Sequence, residues 1–262
     1  MGKFDNTVII SDLDGTLLTK ECGISKKDIE AIEYFKKEGG LFTVATGRTV
    51  NRTHFLNEFI TLDLPAIFAN GAMIATLSDN KQLWVEKTDK CIKEIILDFY
   101  NKNPDICIVI SSDNKDYIYN IDKLKNFIYT LDGFNVTFEK ISDINTPFIK
   151  TAIVSQNSLL NFLNEEYKEY LDKIYFTKSG ECFYEIVPKT VSKGKALKKL
   201  KTLTNISFKK IIAIGDNYND IELIENADIG VAVENNCKAL INKADFTVDK
   251  NDVIYKLINK LV

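Results

Sequence analysis

Short apolar runs alternate with helical patterns at both ends of the 262-residue chain, and this alternation restricts the fold more than any other feature. Near the N-terminus, the apolar run Val8–Ser11 is followed by a helical repeat and then by the run Leu41–Thr46. Near the C-terminus, the runs Lys210–Ile214 and Ile229–Val233 flank another helical segment. Strands and helices that alternate in this way form parallel sheets covered by helices. The sequence therefore predicts an α/β fold.

The middle of the chain has a different pattern, in which short strand signals outnumber helical ones. The pair Asp113-Asn114 is typical of a turn that joins two antiparallel strands. We therefore predict a second, α+β domain over residues 81–189. It is inserted into a discontinuous α/β domain that residues 1–80 and 190–262 form together.

Charge and cysteine content exclude several classes of function. With 34 basic and 37 acidic residues, the net charge is 34 − 37 = −3, so the chain has no broad attraction for nucleic acid or for an anionic membrane. No apolar run reaches the roughly 18 residues that a membrane-spanning helix needs. Five cysteines without a C-x-x-C pair argue against disulfides and against a zinc site, and favour a reducing compartment. We expect a cytoplasmic protein with neither nucleic-acid nor membrane partners.

The chain has a single histidine, His54, so catalytic chemistry depends on carboxylates, lysines and hydroxyls. Oxygen ligands of this kind suit a hard metal ion. Asp12 and Asp14 directly follow the first predicted strand, and residues two apart in an extended chain point the same way. Asp216 and Asp220 follow a second strand. Carboxyl ends of parallel strands line the crevice where such sheets bind ligands. Each cluster alone is also compatible with a solvated turn or a helix cap.

Two further segments have the composition of a phosphate-binding site. Thr46-Gly47 lies at the end of the second predicted strand, directly after Leu41–Ala45, and offers a hydroxyl and a backbone N–H group, which suit phosphate oxygens. Lys193 begins a predicted helix, where the helix dipole favours anions over cations, so it is a candidate for holding a bound anion. Thr46 as a helix cap and Lys193 as a solvated lysine are the structural alternatives.

Taken together and in this order, the four segments resemble the motifs of the haloacid dehalogenase superfamily. They are D-L-D-G-T-L at 12–17, T-G-R at 46–48, S-K-G at 192–194 and G-D-x-x-N-D at 215–220. The position of the insert and the segment Asn70-Gly71-Ala72 resemble the Cof-type phosphatases, which carry a large C2-type cap. This resemblance implies a Rossmann-like parallel-sheet core with an inserted α+β cap domain. Thr190 departs from the glycine that many relatives carry there, which bears on the hinge and on cap-side substrate contacts.

The resemblance implies a phosphatase that works through a covalent intermediate. Asp12 is then the nucleophile that forms an aspartyl phosphate, and Asp14 protonates the leaving oxygen and later activates water. Mg²⁺ is held by the carboxylates of Asp12 and Asp216 and by the main-chain carbonyl of Asp14, with Asp220 supporting the site from outside.

The resemblance also implies how the substrate is held. The groups expected on the phosphoryl oxygens are the N–H of Leu13, Thr46, the N–H of Gly47, Lys193 and Asn219. The partner is a small phosphorylated metabolite, such as a sugar phosphate or a phosphorylated cofactor, and Glu185 of the insert is a candidate for selecting it.

Two other functions are compatible with the same residues. A phosphomutase of the same superfamily has a similar cap and similar motifs. A receiver domain of signalling proteins also combines acidic strand ends with a hydroxyl and a lysine, but it is about half as long and carries no insert.

Overall fold

The computed structural model describes residues 2–18, 23–86, 90–112, 115–124, 136–137, 139–146, 148–178, 182–206, 208–234 and 237–262. Spatial contacts divide the chain into two units. The first consists of Met1–Val50, His54–Trp84 and Ser192–Val262, and the second of Asn51–Thr53 and Val85–Val191. The sequence predicts slightly different domain limits, with 1–80 and 190–262 in one domain and 81–189 in the other, and these limits stay a prediction.

The described secondary structure alternates strands and helices. The strands are β1 (Thr7–Ser11), β2 (Leu41–Val44), β3 (Ala66–Phe68), β4 (Met73–Ala75), β5 (Gln82–Val85), β6 (Cys107–Ser112), β7 (Lys115–Tyr119), β8 (Val136–Thr137), β9 (Lys150–Val154), β10 (Ile174–Lys178), β11 (Phe183–Pro188), β12 (Lys210–Gly215), β13 (Ile229–Val233) and β14 (Phe246–Val248). The α-helices are α1 (Lys26–Lys37), α2 (Lys90–Lys102), α3 (Ile121–Leu124), α4 (Leu160–Glu166), α5 (Lys193–Thr204), α6 (Ile221–Glu225), α7 (Lys238–Ile241) and α8 (Val253–Leu261).

The first unit is built on a parallel sheet with the strand order β14-β13-β12-β1-β2. An additional parallel bridge between Ala45 and Ile67 connects the end of β2 with β3. All five residues of β1 are buried, as expected of a central strand with both faces covered. Helices α5 and α6 cover the face that carries Val8 and Ile10, and α1 packs against β2 and α8. The predicted Rossmann-like parallel-sheet core is confirmed.

The direction of these strands determines where chemistry can occur. Because β1, β2 and β12 are parallel neighbours, their carboxyl ends lie at the same edge of the sheet. The loops that begin at Asp12, at Ala45 and at Asp216 therefore leave the sheet side by side, although more than 200 residues of sequence separate the first from the last.

The second unit has a six-stranded sheet with the order β10-β11-β9-β6-β7-β8. Its neighbours are antiparallel except for β7 and β8, which are parallel. Residues of α2 and α4, including Ile92, Ile96 and Leu163, pack with Ile108 and Ile153 of the sheet into one apolar core. The predicted inserted α+β domain is confirmed in its fold class.

Several local features differ from the sequence prediction. The apolar spacing predicts one helix over Leu159–Tyr170, but α4 ends at Glu166 because Tyr167 leaves helical geometry (φ −113°, ψ 29°) and a separate turn follows. The turn at Asp113-Asn114 lies outside the described residues. Strand β4 is not predicted at all, and it arises because positive φ angles at Asn70 and Gly71 reverse the chain onto β3. Within the described part of the chain, no helix is both long and apolar enough to cross a membrane.

One buried carboxylate joins two helices of the first unit. The side chain of Asp252, which precedes α8, forms no capping bond, and the Oδ1 atom of Asp28 in α1 accepts the Tyr255 N–H of α8 instead (3.0 Å). The side chain of Ser25 in turn accepts the Asp28 N–H (3.1 Å) and caps α1. Burial raises the pKa of Asp28 above its usual value. Asp28 of α1 thus caps the N-terminal end of α8.

We expect Asp28→Ala to lower the free energy of unfolding by about 1–2 kcal/mol, because an N–H group of α8 loses its acceptor. Asp28→Asn keeps an acceptor, so its loss is expected to be smaller. Because burial raises the Asp28 pKa, the folded state binds that proton more tightly than the unfolded chain. The native chain therefore loses stability relative to Asp28→Asn as the pH rises above the ordinary value of 3.8. Urea denaturation at several pH values measures the free energy of unfolding of each chain. If Asp28→Ala and Asp28→Asn lost the same free energy of unfolding at every pH, the expected role of Asp28 would be contradicted.

Candidate active site

The loop that follows β1 carries the first acidic pair. The Asp12 N–H donates to the Ile214 carbonyl of β12 (2.8 Å), so that Asp12 continues the sheet, and the residue is 4% exposed. Residues Leu13–Leu17 then form one wide turn, closed by the Leu18 N–H on the Leu13 carbonyl (2.9 Å). This turn allows Asp12 and Asp14 to point to different surroundings.

The loop that follows β12 is organised by Asp220. Its Oδ2 atom accepts the backbone N–H groups of Asp216 and Asn217, each at 3.1 Å. The Asn217 side chain accepts the Tyr218 N–H (2.8 Å), so the two side chains cap the short turn reciprocally. Asp220 is fully buried and fixes the backbone that presents Asp216.

Lys193 connects the two loops. This residue begins α5, whose first turn is capped by the Ser192 hydroxyl on the Lys195 N–H (3.1 Å). The Lys193 Nζ atom donates to Asp12 Oδ1 and to Asp220 Oδ1, both at 2.6 Å, and the residue is 0% exposed. The alternative of a solvated lysine is therefore excluded.

The buried charges affect each other's protonation. Burial alone would lower the pKa of Lys193, but the adjacent Asp12 and Asp220 carboxylates outweigh burial and raise it. Burial raises the pKa of Asp12 well above its usual range, and the nearby carboxylates of Asp220 and Asp216 add to this, while Lys193 opposes it. The site thus favours additional positive charge.

The carboxylates of Asp12, Asp216 and Asp220 form a group that fits a hard divalent cation. One oxygen of each lies within 4.8 Å of the others. These three carboxylates together with the Lys193 ammonium carry two negative charges, which equals the charge of one divalent ion. Oxygen donors of this kind are the ligands that Mg²⁺ prefers.

A glycine makes this arrangement possible. Gly15 has a positive φ of 87°, and a Cβ placed there would overlap the Asp216 carboxylate, lying 2.8 Å from its Cγ atom. The turn after β1 therefore approaches Asp216 more closely than any side chain would permit.

The loop after β2 is held by a side-chain and a backbone hydrogen bond of Thr46. The Thr46 Oγ1 atom accepts the Arg48 N–H (3.1 Å), and the Thr46 carbonyl accepts the Asn70 N–H (3.0 Å). Thr46 is fully buried. A Cβ at Gly47 would lie 3.0 Å from Asn70 Oδ1, so this loop also packs closely against its neighbour.

Asn70 is a site residue to which the sequence analysis assigned no role. Its Oδ1 atom accepts a hydrogen bond from Asn219 Nδ2 (2.9 Å), which connects the loop after β3 to the loop after β12. Asn70 is buried and has a positive φ of 56°. The N-G pair in the sequence is the signal that could have indicated it, since asparagine and glycine tolerate this conformation.

Asp14 lies apart from the carboxylate group. Its carboxylate binds the Arg48 guanidinium, with Nε at 2.8 Å and Nη2 at 2.6 Å, and no role was predicted for Arg48. Glu185 belongs to the second unit. It lies in β11, is 2% exposed and pairs with Lys150 of β9 at 2.8 Å.

Comparison with known proteins identifies the family. The family model of the haloacid dehalogenase-like hydrolases matches residues 9–258. The chain belongs to this family. The recognition of the haloacid dehalogenase superfamily from the four motifs is therefore confirmed, and so is the predicted enzyme class, a phosphatase of this superfamily.

Individual relatives of this haloacid dehalogenase-like hydrolase cover nearly the whole chain. A 5-amino-6-(5-phospho-D-ribitylamino)uracil phosphatase of Bacillus subtilis is 30% identical, with 93% of each chain covered. The structure of a protein from Thermotoga maritima is 26% identical, covers 96% of each chain and gives a TM-score of 0.78. A haloacid dehalogenase-like hydrolase of Bacteroides thetaiotaomicron is 24% identical and has the same fold, with a TM-score of 0.80 over 98% of this chain and 99% of that one.

We expect Gly15→Ala to lower the free energy of unfolding by about 1–3 kcal/mol, because alanine is strained at this positive φ. It should also weaken Mg²⁺ binding, because the new methyl group displaces the Asp216 carboxylate. The melting temperature without Mg²⁺ measures the first effect, and its increase on adding Mg²⁺ measures the second.

Gly23→Ala is the matched control for this substitution. An added methyl group there would lie 3.7 Å from the Phe59 ring, an ordinary contact. A Gly15→Ala protein with the same melting temperature and the same response to Mg²⁺ as this control would contradict the expected role of Gly15.

Proposed function

We propose that this enzyme is a Mg²⁺-dependent phosphatase that hydrolyses small phosphorylated metabolites through an aspartyl-phosphate intermediate on Asp12. The observation that carries the proposal is the group of Asp12, Asp216 and Asp220 carboxylates at the shared edge of parallel strands, in which buried Lys193 pairs with Asp12 and Asp220. A phosphate monoester dianion repels a carboxylate nucleophile. Attack by Asp12 therefore depends on positive charge fixed nearby in a water-poor site.

In the first step, a carboxylate oxygen of Asp12 forms a bond to phosphorus while the bond between phosphorus and the leaving oxygen breaks. Asp14, which enters this step protonated, donates its proton to that oxygen, and the alcohol leaves. Lys193 is already within hydrogen-bond distance of Asp12, so its charge is in place before the substrate arrives. Such preorganised charge reduces the reorganisation needed in the transition state.

In the second step, water attacks the phosphorus atom of the aspartyl phosphate and Asp14 accepts a proton from it. The bond between phosphorus and Asp12 breaks, so that inorganic phosphate leaves and the Asp12 carboxylate is restored. Asp14 suits this exchange because its side chain is 57% exposed and has access to solvent.

The carboxylates of Asp12 and Asp216 and the main-chain carbonyl of Asp14 would hold Mg²⁺. When bound, Mg²⁺ supplies positive charge that offsets the repulsion between the phosphate and the nucleophile. Both oxygens of Asp220 already accept hydrogen bonds, Oδ1 from Lys193 and Oδ2 from backbone N–H groups. Asp220 therefore supports the site by orienting its neighbours.

The phosphoryl oxygens would be held by groups from all four motifs. The buried Thr46 and the closely packed Gly47 present one side of the site, and Asn219 is oriented by its bond to Asn70. The full proposed set is Leu13 (N–H), Thr46, Gly47 (N–H), Lys193 and Asn219.

We expect Asp12→Asn to lower phosphate release from p-nitrophenyl phosphate by at least about 1,000-fold, because the amide is a poor nucleophile. Removal of Mg²⁺ with EDTA should abolish the activity of the native enzyme, and added Mg²⁺ should restore it. Lys27→Met is the matched control, because it removes an exposed ion pair with Asp252 that plays no part in the mechanism. Equal rates for Asp12→Asn and the native chain would refute the proposed mechanism.

For the substrate, we propose a small metabolite in the cytoplasm. The four cysteines within the described residues are free, which is consistent with a reducing compartment. The Bacillus subtilis relative named above acts on a phosphorylated ribityl compound, which supports a polyhydroxylated leaving group here. We propose that Glu185 helps select it, since a buried charge in an ion pair is costly to maintain for stability alone.

A screen of phosphorylated metabolites identifies the best substrate. We expect Glu185→Gln to lower kcat/KM for that substrate by about tenfold, or about 1.4 kcal/mol, and to affect p-nitrophenyl phosphate less. Glu165→Gln, which removes an exposed ion pair with Lys168, is the control. An equal loss on both substrates would show that Glu185 does not contribute to selection.

A further inference from the structure

Arg48 forms a bidentate ion pair with Asp14, which follows the proposed nucleophile by two residues in the sequence. The Arg48 Nε atom lies 2.8 Å from Asp14 Oδ2, and Nη2 lies 2.6 Å from Oδ1. Two parallel N–H···O bonds fix both the distance and the plane of the carboxylate. This geometry restricts Asp14 more strongly than a single bond would.

Arg48 is the better fixed of the two partners. Its N–H donates to Thr46 Oγ1 (3.1 Å), and its carbonyl accepts the Ala69 N–H (2.8 Å). Its guanidinium lies over the Phe55 ring, 5.2 Å from the ring centroid. The Arg48 side chain is 19% exposed, whereas that of Asp14 is 57% exposed.

Asp14 is the more exposed partner of the pair. It precedes Gly15 in the wide turn after β1, and its carboxylate is not among the three that gather around the proposed metal position. A side chain that is more than half exposed takes its orientation from what it binds rather than from packing. The two bonds to Arg48 therefore help to fix where the Asp14 carboxylate lies.

We propose that Arg48 is a positioning residue for Asp14: one N–H···O bond holds the carboxyl group in place while the other oxygen, released from the arginine, carries the proton that is transferred. This inference rests on the proposed function, in which Asp14 protonates the leaving oxygen. Proton transfer requires the donor within hydrogen-bond reach of that oxygen, and a misplaced donor loses most of the benefit. Arg48 thus acts on the reaction through Asp14, not on the phosphoryl group.

Substrates with different leaving groups distinguish a role of Arg48 in proton transfer from a purely structural role. An alkyl phosphate needs a proton on its departing oxygen, whereas p-nitrophenolate leaves without one. We expect Asp14→Asn to lower kcat/KM for an alkyl phosphate by at least about 100-fold, and for p-nitrophenyl phosphate much less. Because kcat/KM reports the reaction through the first phosphoryl transfer, the later hydrolysis of the intermediate does not obscure the comparison.

Arg48→Met should reproduce the same selective loss on the alkyl ester, by about tenfold or more, because its carboxylate partner is no longer held. Arg48→Lys keeps the charge but not the fork, so we expect an intermediate loss. In a chain that already carries Asp14→Asn, adding Arg48→Met should change kcat/KM by no more than about twofold, since the path through Asp14 is already lost. Melting curves establish that each variant is folded, and Lys27→Met is the control for a lost ion pair elsewhere.

Two results would overturn the inference. One is an equal loss on both esters with Arg48→Met, and the other is the same loss for that substitution in the Asp14→Asn chain as in the native chain. Either would mean that Arg48 acts independently of Asp14. Failure of the proposed function has a different signature, namely no Mg²⁺-dependent phosphate release by the native enzyme.

Discussion

The double ion pair of Lys193 with Asp12 and Asp220 is the interaction on which the site depends. All three side chains are buried, and removing ionised groups from water is costly unless each has a close partner of opposite charge. Lys193 is 181 residues from Asp12 and 27 from Asp220 in the sequence, so the pairs form only when β1, β12 and α5 are assembled. The complete site therefore exists only in the folded core.

The charge imbalance of this group connects structure to chemistry. One ammonium cannot neutralise three carboxylates, and burial makes the remaining negative charge more unfavourable. The protein tolerates this in part because Asp220 is also stabilised by two backbone N–H groups. A site that stores unfavourable charge in this way gains from binding a cation, and the affinity for it comes from the fold.

The sequence predicts the parts of the site that depend on sheet topology. Asp12, Thr46 and Asp216 each follow a buried apolar strand, and parallel strands bring such ends together whatever the distance in sequence. Contacts between loops are not predictable in this way. The bond between Asn219 and Asn70 depends on the left-handed conformation of Asn70, and no periodic pattern encodes it.

The same limit explains the strand that was missed and the helix that was predicted too long. Strand β4 has only three residues and forms because the chain reverses before it, while α4 stops where one residue leaves helical geometry within an otherwise helical apolar pattern. The periodicity of apolar residues indicates which face of a helix or strand is buried. It does not indicate where a local backbone conformation ends that helix or strand.

Asp12 and Asp14 show how two carboxylates two residues apart can have different roles. Asp12 is buried and paired with Lys193, whereas Asp14 is more than half exposed and paired with Arg48. The wide turn after β1 separates their surroundings, so each carboxylate has its own cation. These surroundings suit the proposed roles, since a nucleophile benefits from a dry site with fixed charge and a group that exchanges protons with water needs access to solvent. Different environments for neighbouring acids are how enzymes divide such tasks, and here one turn with a glycine at its centre provides the division.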